Sequence, residues 1–331
     1  MIRVRVPTRI DLAGGTLDLW PLSTLFAPAV CVNLGINLYA EVEARQKRGG
    51  EGVTVRSVHL GKTFQLQAGR PEKGKTLFDR VHEQFTRESS PANGWELTVN
   101  TGSPAGAGLG GSSSLVVALI KTMSRIYGKK MTNQQIIELA KNIEARHLGI
   151  PTGIQDYVAA LQGGVSVIDI GEGGMSPRRM KVDTKSLEKR LVLAYSGKSR
   201  ISGKANWNMF KRAIDGDLST VKVFKGIARN SLEVVDALEN SRWNRIGSLM
   251  EKENRLREKL GPAVIPPKLK KLFGEIRKKG GYPKICGAGG GGCFVVYCEE
   301  SARDKMRSLL KEKGCLPLDF KSGRPSIGTS P

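Results

Sequence analysis

The segment Pro104-Ala105-Gly106-Ala107-Gly108-Leu109-Gly110-Gly111-Ser112-Ser113-Ser114 runs straight into the apolar stretch LVVALIKTM. Glycines let a backbone turn its amides inward and let an anion come close. A helix beginning there adds unpaired N–H groups and the positive end of its dipole. Three serines at the mouth supply hydroxyls for a phosphate or for Mg²⁺. A polyphosphate needs that combination. Gly106, Gly108 and Gly111 also satisfy the dinucleotide spacing GxGxxG, but no acidic residue follows at the end of a next strand to hold a ribose. A second glycine run, Lys284-Ile-Cys-Gly287-Ala-Gly289-Gly290-Gly291-Gly292-Cys293, joins strand to strand and so lacks a helix dipole. It suits close approach to a ligand or to another loop, or a tight hairpin without a ligand.

A third segment, Gly69 to Thr76, matches the P-loop pattern GxxxxGK[ST] letter for letter. The strand of a P-loop lies inside a parallel sheet and is apolar throughout. The TFQLQ that precedes Gly69 alternates instead, as a half-exposed antiparallel strand does. A surface turn is the simpler reading. Among the carboxylates, Asp11 and Asp18 lie close to Arg9 in sequence, Glu144 near the end of a helical run, and Asp156 just after a Pro–Gly turn. One acid to orient or deprotonate a hydroxyl and one to hold Mg²⁺ would complete a phosphoryl-transfer site. Any one of them alone could equally be a solvated or capping carboxylate.

The elements that must position these groups follow from periodicity. IRVRV, VTVRSV, TFQLQ and WELTVN alternate with period two, the middle pair as a hairpin, and residues 29–45 give one or two strands. In the helix after the glycine loop Leu115, Ala118, Leu119 and Met123 share a face. Thr132 caps the next helix, with Gln135 as its capping-box partner. VSVIDI is a buried strand, and the polar stretch GEGGMSPRRMKVDTKS ends the first half. After the strand LVLAYSG, helices are predicted over about 201–214, 218–239, 241–259 and 267–279. Strands YPKIC and CFVVYC flank the second glycine run, a helix and the strand LPLDF follow, and the tail KSGRPSIGTSP is expected to be loose. Strands lead in the first half and helices in the second, which predicts an α+β fold. Two domains are expected, 1–187 and 188–331.

The 331 residues are 39% hydrophobic and 25% charged, which excludes a disordered or fibrous chain. No run of 18 apolar residues exists, and the N-terminus has no apolar signal core, so neither membrane nor secretion is expected. Five scattered cysteines without a CxxC pair predict reduced thiols, a cytoplasmic location and no zinc. The 53 basic against 31 acidic residues give a net charge of +22, spread along the chain. Such a field attracts anions. Its even spread and an aromatic content of 6% speak for small anions, or for plain solubility, over nucleic acid.

The order PTRIDLAGGTLDL, PAGAGLGGSSSL, KICGAGGGGCFVV resembles the three signature motifs of the GHMP small-molecule kinases over nearly the whole chain. RIDLAGGTLDL, GIQDYVAALQGG and YSGKSRISGKAN are most similar to the sugar-kinase branch, namely fucokinases and bacterial heptose-7-phosphate kinases and, more distantly, galactokinases. The resemblance implies an N-terminal β-α-β domain of the ribosomal-protein type and a ferredoxin-like C-terminal domain. ATP would lie between them, its phosphates wrapped by residues 106–114. Ser112 and Glu144 would hold Mg²⁺, with Ser113 as substitute because Gly111 stands where a serine is usual. Asp156 would be the catalytic base, and Arg9 would steady the transferring group. Asp18 would bind the sugar, with Gly15, Thr16, Gly153, Gln155, Gly289 and Gly290 around the substrate. Gly15 and Thr16 replace the Glu-His of galactokinase, which argues against galactose. The implied activity is phosphorylation of a sugar or sugar phosphate, at the anomeric hydroxyl, with Lys198, Arg200 and Lys204 as candidates for a substrate phosphate. A kinase of a non-sugar alcohol such as mevalonate or phosphomevalonate, and a basic nucleic-acid-binding protein, are the alternatives. Lys75→Ala is expected to leave nucleotide affinity unchanged in a calorimetric titration.

Overall fold

In the computed structural model the described residues are 1–47, 51–66, 74–86, 93–199 and 204–329, with the side chains of 204–206 left aside. Strands run β1 (Ile2–Ala13), β2 (Ala29–Lys47), β3 (Val53–Ser57), β4 (Lys62–Leu66), β5 (Gly94–Thr101), β6 (Val165–Gly171), β7 (Gly174–Met180), β8 (Leu191–Tyr195), β9 (Tyr282–Ile285), β10 (Cys293–Tyr297), β11 (Leu316–Leu318) and β12 (Ser326–Thr329). Helices of the first half are α1 (Leu22–Leu25), α2 (Leu77–Thr86), α3 (Gly111–Ile126), α4 (Asn133–Leu148), α5 (Gln155–Gln162) and α6 (Thr184–Arg190). Those of the second are α7 (Lys204–Ile214), α8 (Leu218–Glu239), α9 (Trp243–Glu258), α10 (Pro267–Lys278) and α11 (Arg303–Glu312).

The first sheet is organised by β2. Residues 29–36 of this strand, AVCVNLGI, are buried on both faces, and the following YAEVEARQ alternates. Its first part pairs with β6 and its last part with β5, while β1 lies along the other edge. The path is β12-β1-β2-β5-β3-β4, with β7 beyond β6. Among the described residues only β3 and β5 pair in parallel. β4 forms the antiparallel hairpin with β3 that its alternation predicts, and it lies at the sheet edge. The α3 helix crosses the sheet on β1 and β2 and touches α2, α4 and α5. It is buried well beyond the expected face, with Val116, Val117 and Ile120 as enclosed as Ala118 and Leu119. Neighbours on several sides, and not one, explain why periodicity alone underestimated it.

The second sheet has the order β11-β8-β10-β9, all antiparallel. With helices between its first and second and between its third and fourth strands, this is the ferredoxin-like β-α-β-β-α-β arrangement that the resemblance implies. The expected boundary at 187 falls inside α6, just before β8. The apolar cluster of Ile10, Leu12, Val32, Leu34, Leu193, Val295 and Met250 joins the two sheets.

Several expectations need correction. The polar stretch after β6 holds β7, an exposed strand supported by its hairpin with β6. PTGIQDYVAALQGG contains α5, which no hydrophobic period longer than two turns announces. The tail is not loose: β12 pairs with β1. Just before it, three glycines meet backbone to backbone. Gly35 N donates to Gly164 O at 2.7 Å, Gly164 N to Gly323 O at 2.9 Å, and Gly323 N to Gly35 O at 2.8 Å. A side chain on Gly323 would sit 2.7 Å from the carbonyl carbon of Ile36, so only glycine closes this ring. Removal of residues 322–331 is expected to lower the melting temperature by about 5 °C or more in calorimetry.

Candidate active site

Two register shifts in the β1–β2 ladder, between Val6 and Thr8 and between Asp11 and Ala13, bracket Arg9. Such irregularities re-aim side chains. Arg9 is 2% exposed. Its backbone N–H donates to Leu109 O at 2.9 Å and its Nη1 to Gly108 O at 2.6 Å. Its Nη2 lies 2.5 Å from Asp156 Oδ1. Burial alone would make Arg9 easier to deprotonate, but Asp156 and Asp11 outweigh it and keep the guanidinium charged.

The glycine loop leads into α3 through Gly110, whose φ of +74° is left-handed and which offers no side-chain cap. Ser114 N closes the first helical bond on Gly110 O, so the amides of Gly111, Ser112 and Ser113 have no partner within the helix. A Cβ on Gly110 would stand 2.9 Å from the Asp156 carboxyl carbon, and one on Gly111 would stand 2.5 Å from Ser103 Oγ. A side chain at 111, where a serine is usual, would make the Ser103 hydroxyl rotate away. Ser114 turns away and donates to Pro7 O at 2.9 Å.

Beside these amides is a carboxylate and hydroxyl cluster. Ser113 Oγ donates to Glu144 Oε2 at 2.6 Å, and its single proton cannot also serve Asp156 Oδ2, 3.2 Å away. Tyr157, next to Asp156 on α5, donates its hydroxyl to the same Glu144 oxygen at 2.7 Å. Burial pushes the Glu144 carboxyl up, held back by hydrogen bonds from Ser113, Tyr157 and Ser112. Asp18 accepts from Gln155 N at 2.8 Å and from Gln155 Nε2 at 3.3 Å. Its carboxyl is also pushed up by burial, against the Gln155 amide. A Cβ on Gly153 would stand 2.2 Å from Asp18 Oδ2, so Gly153 makes room for that carboxylate.

These groups surround a cleft of about 450 Å³. Arg9, Thr16, Asp18, Gly153, Gln155, Asp156, Glu144 and residues 104–113 line it. Thr16 holds a left-handed φ of 82°, unusual for a β-branched residue. Gly15, Gly289 and Gly290 do not line the cleft. Gly15 lies against Asp11, where a Cβ would meet Oδ2 at 2.2 Å. Gly290 N donates to Val264 O at 2.7 Å, and a Cβ on Gly289 would meet that oxygen at 2.2 Å. Gly287 and Ala288 take their place in the lining. Lys198 is exposed outside the lining, and its carbonyl accepts from Gly292 N and Ser196 Oγ. Arg200 and the side chain of Lys204 lie outside the described residues.

The P-loop look-alike is used otherwise. Lys75 Nζ contacts both Glu83 oxygens at 2.9 Å, and Thr76 with Asp79 caps α2 reciprocally. Its residues 69–73 lie outside the described ones. Sequence reading missed Tyr157, whose position next to Asp156 was the available signal. It also missed Glu253, Arg257 and Lys284, which meet Asp11 in a cluster at most 1% exposed. Lys284 opens the second glycine run, and a lysine inside an apolar strand was its one sign.

A family model described as GHMP kinases N terminal domain matches residues 76–164, and one described as GHMP kinases C terminal matches residues 234–314. The chain is 26% identical over 325 residues to the D-glycero-alpha-D-manno-heptose 7-phosphate kinase of Campylobacter jejuni, covering 95% of this chain and 94% of that protein. It is 31% identical over 307 residues to the mevalonate kinase of Thermococcus gammatolerans, covering 88% of each. The solved D-glycero-D-manno-heptose 1-phosphate kinase from Bacteriodes thetaiotaomicron superposes with a TM-score of 0.78 at 19% identity, over 100% of this chain and 99% of that one. Asp156→Asn should preserve nucleotide binding in calorimetry while lowering turnover about 10²–10⁴-fold in an ADP-release assay.

Proposed function

Because the chain belongs to the GHMP kinase family, we propose that it transfers the terminal phosphoryl group of Mg·ATP to a sugar or sugar phosphate, at the anomeric hydroxyl. Kinases of this family take phosphate from ATP and pass it to an alcohol oxygen of a small molecule. The observation that carries the proposal is the Arg9–Asp156 pair, set against the carbonyls of the glycine loop and beside the open amides of α3. An anionic tail held by those amides ends next to a carboxylate that is 23% exposed and next to a permanent cation.

Phosphoryl transfer asks chiefly for alignment and charge stabilisation. The α3 amides hold the phosphates. Asp156, fixed through Oδ1 by Arg9, accepts the proton of the acceptor hydroxyl or aligns it. Arg9 faces the charge that develops on the transferring group. Asp18 and Thr16 are positioned to bind acceptor hydroxyls. Glu144 with Ser112 or Ser113 offers hard oxygen donors, which suits Mg²⁺. The described residues hold no cluster of three metal-ligating side chains. One or two protein ligands with phosphate oxygens completing the shell is the usual manner for Mg²⁺. Bound there, the ion would neutralise phosphate charge.

The sugar reading draws on Asp18, on the Gly-Gly form of the first motif, and on likeness to a heptose 7-phosphate kinase over most of both chains. A mevalonate kinase reading is favoured by one observation, the higher identity to the Thermococcus protein. Neither predicts a polynucleotide partner. Incubation of the protein with Mg·ATP and a panel of hexoses, heptoses, their phosphates and mevalonate, read by ADP release, is expected to give turnover with a sugar. Turnover with mevalonate alone would replace this reading by the second.

A further inference from the structure

One wall of the cleft has no part in the chemistry above. Trp207 and Phe210 sit nearly one turn apart on α7, their ring centroids 5.4 Å apart and their planes 22° from parallel. Both line the cleft. Phe210 is buried, and Trp207 is 43% exposed. Phe210 thus stacks on one indole face, and Trp207 stays part-exposed in the cleft wall. The α7 helix packs against α1, which directly follows the Thr16–Leu19 segment. The aromatic pair therefore stands at the Asp18 end. Ser57 and His59, at the end of β3, line the other end of the cleft, beyond β5 in the sheet.

We propose that Trp207, braced by Phe210, is a stacking platform for the apolar face of a ring sugar and selects a cyclic acceptor over an open-chain acid. The inference rests on the sugar-kinase reading and deepens it. A ring sugar carries hydroxyls around its rim and a patch of C–H groups on its face. The hydroxyls suit Asp18, Thr16 and Asp156. The C–H patch suits the electron-rich face of an indole, which offers large apolar area with little conformational freedom to lose. An open-chain carboxylic acid needs a free cation instead. Among the described residues the basic side chains of the lining are Arg9 and His59. Arg9 is committed to Gly108 O and Asp156, and His59 lies at the far end.

The test uses the full chain and the sugar turned over fastest in the panel. Trp207→Ala should raise KM for that sugar about tenfold while KM for ATP and kcat stay within about twofold. Trp207→Phe keeps an aromatic face and should restore KM to within about threefold, whereas Trp207→Leu, apolar but without that face, should not. The sugar should also change the intrinsic fluorescence of the wild type and leave that of Trp207→Phe unchanged. A sugar KM unaltered in folded Trp207→Ala, or equal in the Leu and Phe variants, overturns the platform and leaves the sugar-kinase reading intact. A wild-type protein that turns over the acid and no sugar overturns the reading itself.

Discussion

A buried guanidinium has to be neutralised, and Arg9 imposes that requirement on the whole site. Left unpaired it would cost several kcal/mol, so its neighbours cannot drift. Its hydrogen bonds run to consecutive carbonyls of the glycine loop, Gly108 and Leu109, and its charge to Asp156. The loop is thereby pinned to β1, and α5 to the loop. Gly110 then has to lack a side chain because Asp156 occupies the space. Left-handed Gly110 in turn starts α3 without a cap and leaves its amides open. Cation, carboxylate, glycine and anion-binding amides are therefore one interdependent unit, and a change at any of them is felt by the others.

A second buried charge cluster does for the lobes what Arg9 does for the loop. Arg257 Nε pairs with Glu253 Oε1 at 2.9 Å, and Arg257 Nη2 donates to Gly15 O at 2.6 Å. Glu253 accepts from Gly14 N at 2.8 Å. Lys284 lies 3.1 Å from Asp11 Oδ1 and 3.3 Å from Glu253 Oε1. Burial by itself would push the Asp11 carboxyl up, but Lys284, Arg257 and Arg9 outweigh it and hold it below the usual carboxylate range. Buried pairs of this kind contribute little net stability, because desolvation offsets attraction. Their effect is geometric. Glu253, Arg257 and Lys284 come from the second half of the chain, and Asp11, Gly14 and Gly15 from the first. The segment that ends in Thr16 and Asp18 is fixed by groups from the opposite lobe, so that side of the cleft is defined only when both lobes are in place.

Local signals were legible and long-range ones were not. The Thr132–Gln135 capping box is present in both directions, because a cap depends on four consecutive residues. The β3–β4 hairpin followed from alternation. The α5 helix, with Asp156 and Tyr157 in its first turn, is too short for a period to show. The strand at 326–329 has no apolar signal, since its backbone, not its side chains, is what β1 binds. Of the site, Arg9, Asp18, Glu144 and Asp156 were singled out as charges, and only the family resemblance gave them roles. Ser103 and Trp207 did not, because what makes them matter is a contact with a residue far away or an opening left by the fold.

The second glycine run reaches the cleft through Gly287 and Ala288, and further along it presses on the first run. Cys293 N donates to Ala107 O at 2.6 Å, and a Cβ on Gly292 would stand 2.6 Å from that oxygen and 2.7 Å from Gly106 O. Gly292 N in turn donates to Lys198 O at 2.9 Å. Two glycine-rich backbones therefore press directly on each other, with no side chain between them. A loop whose amides face a phosphate must have its carbonyl side supported elsewhere, or the peptide planes could rotate. Arg9 and the peptides of Gly292 and Cys293 give that support from opposite lobes. Glycine is needed in both runs for different reasons: Gly110 in the first to leave room for Asp156, and Gly292 in the second so that the first run can be held still.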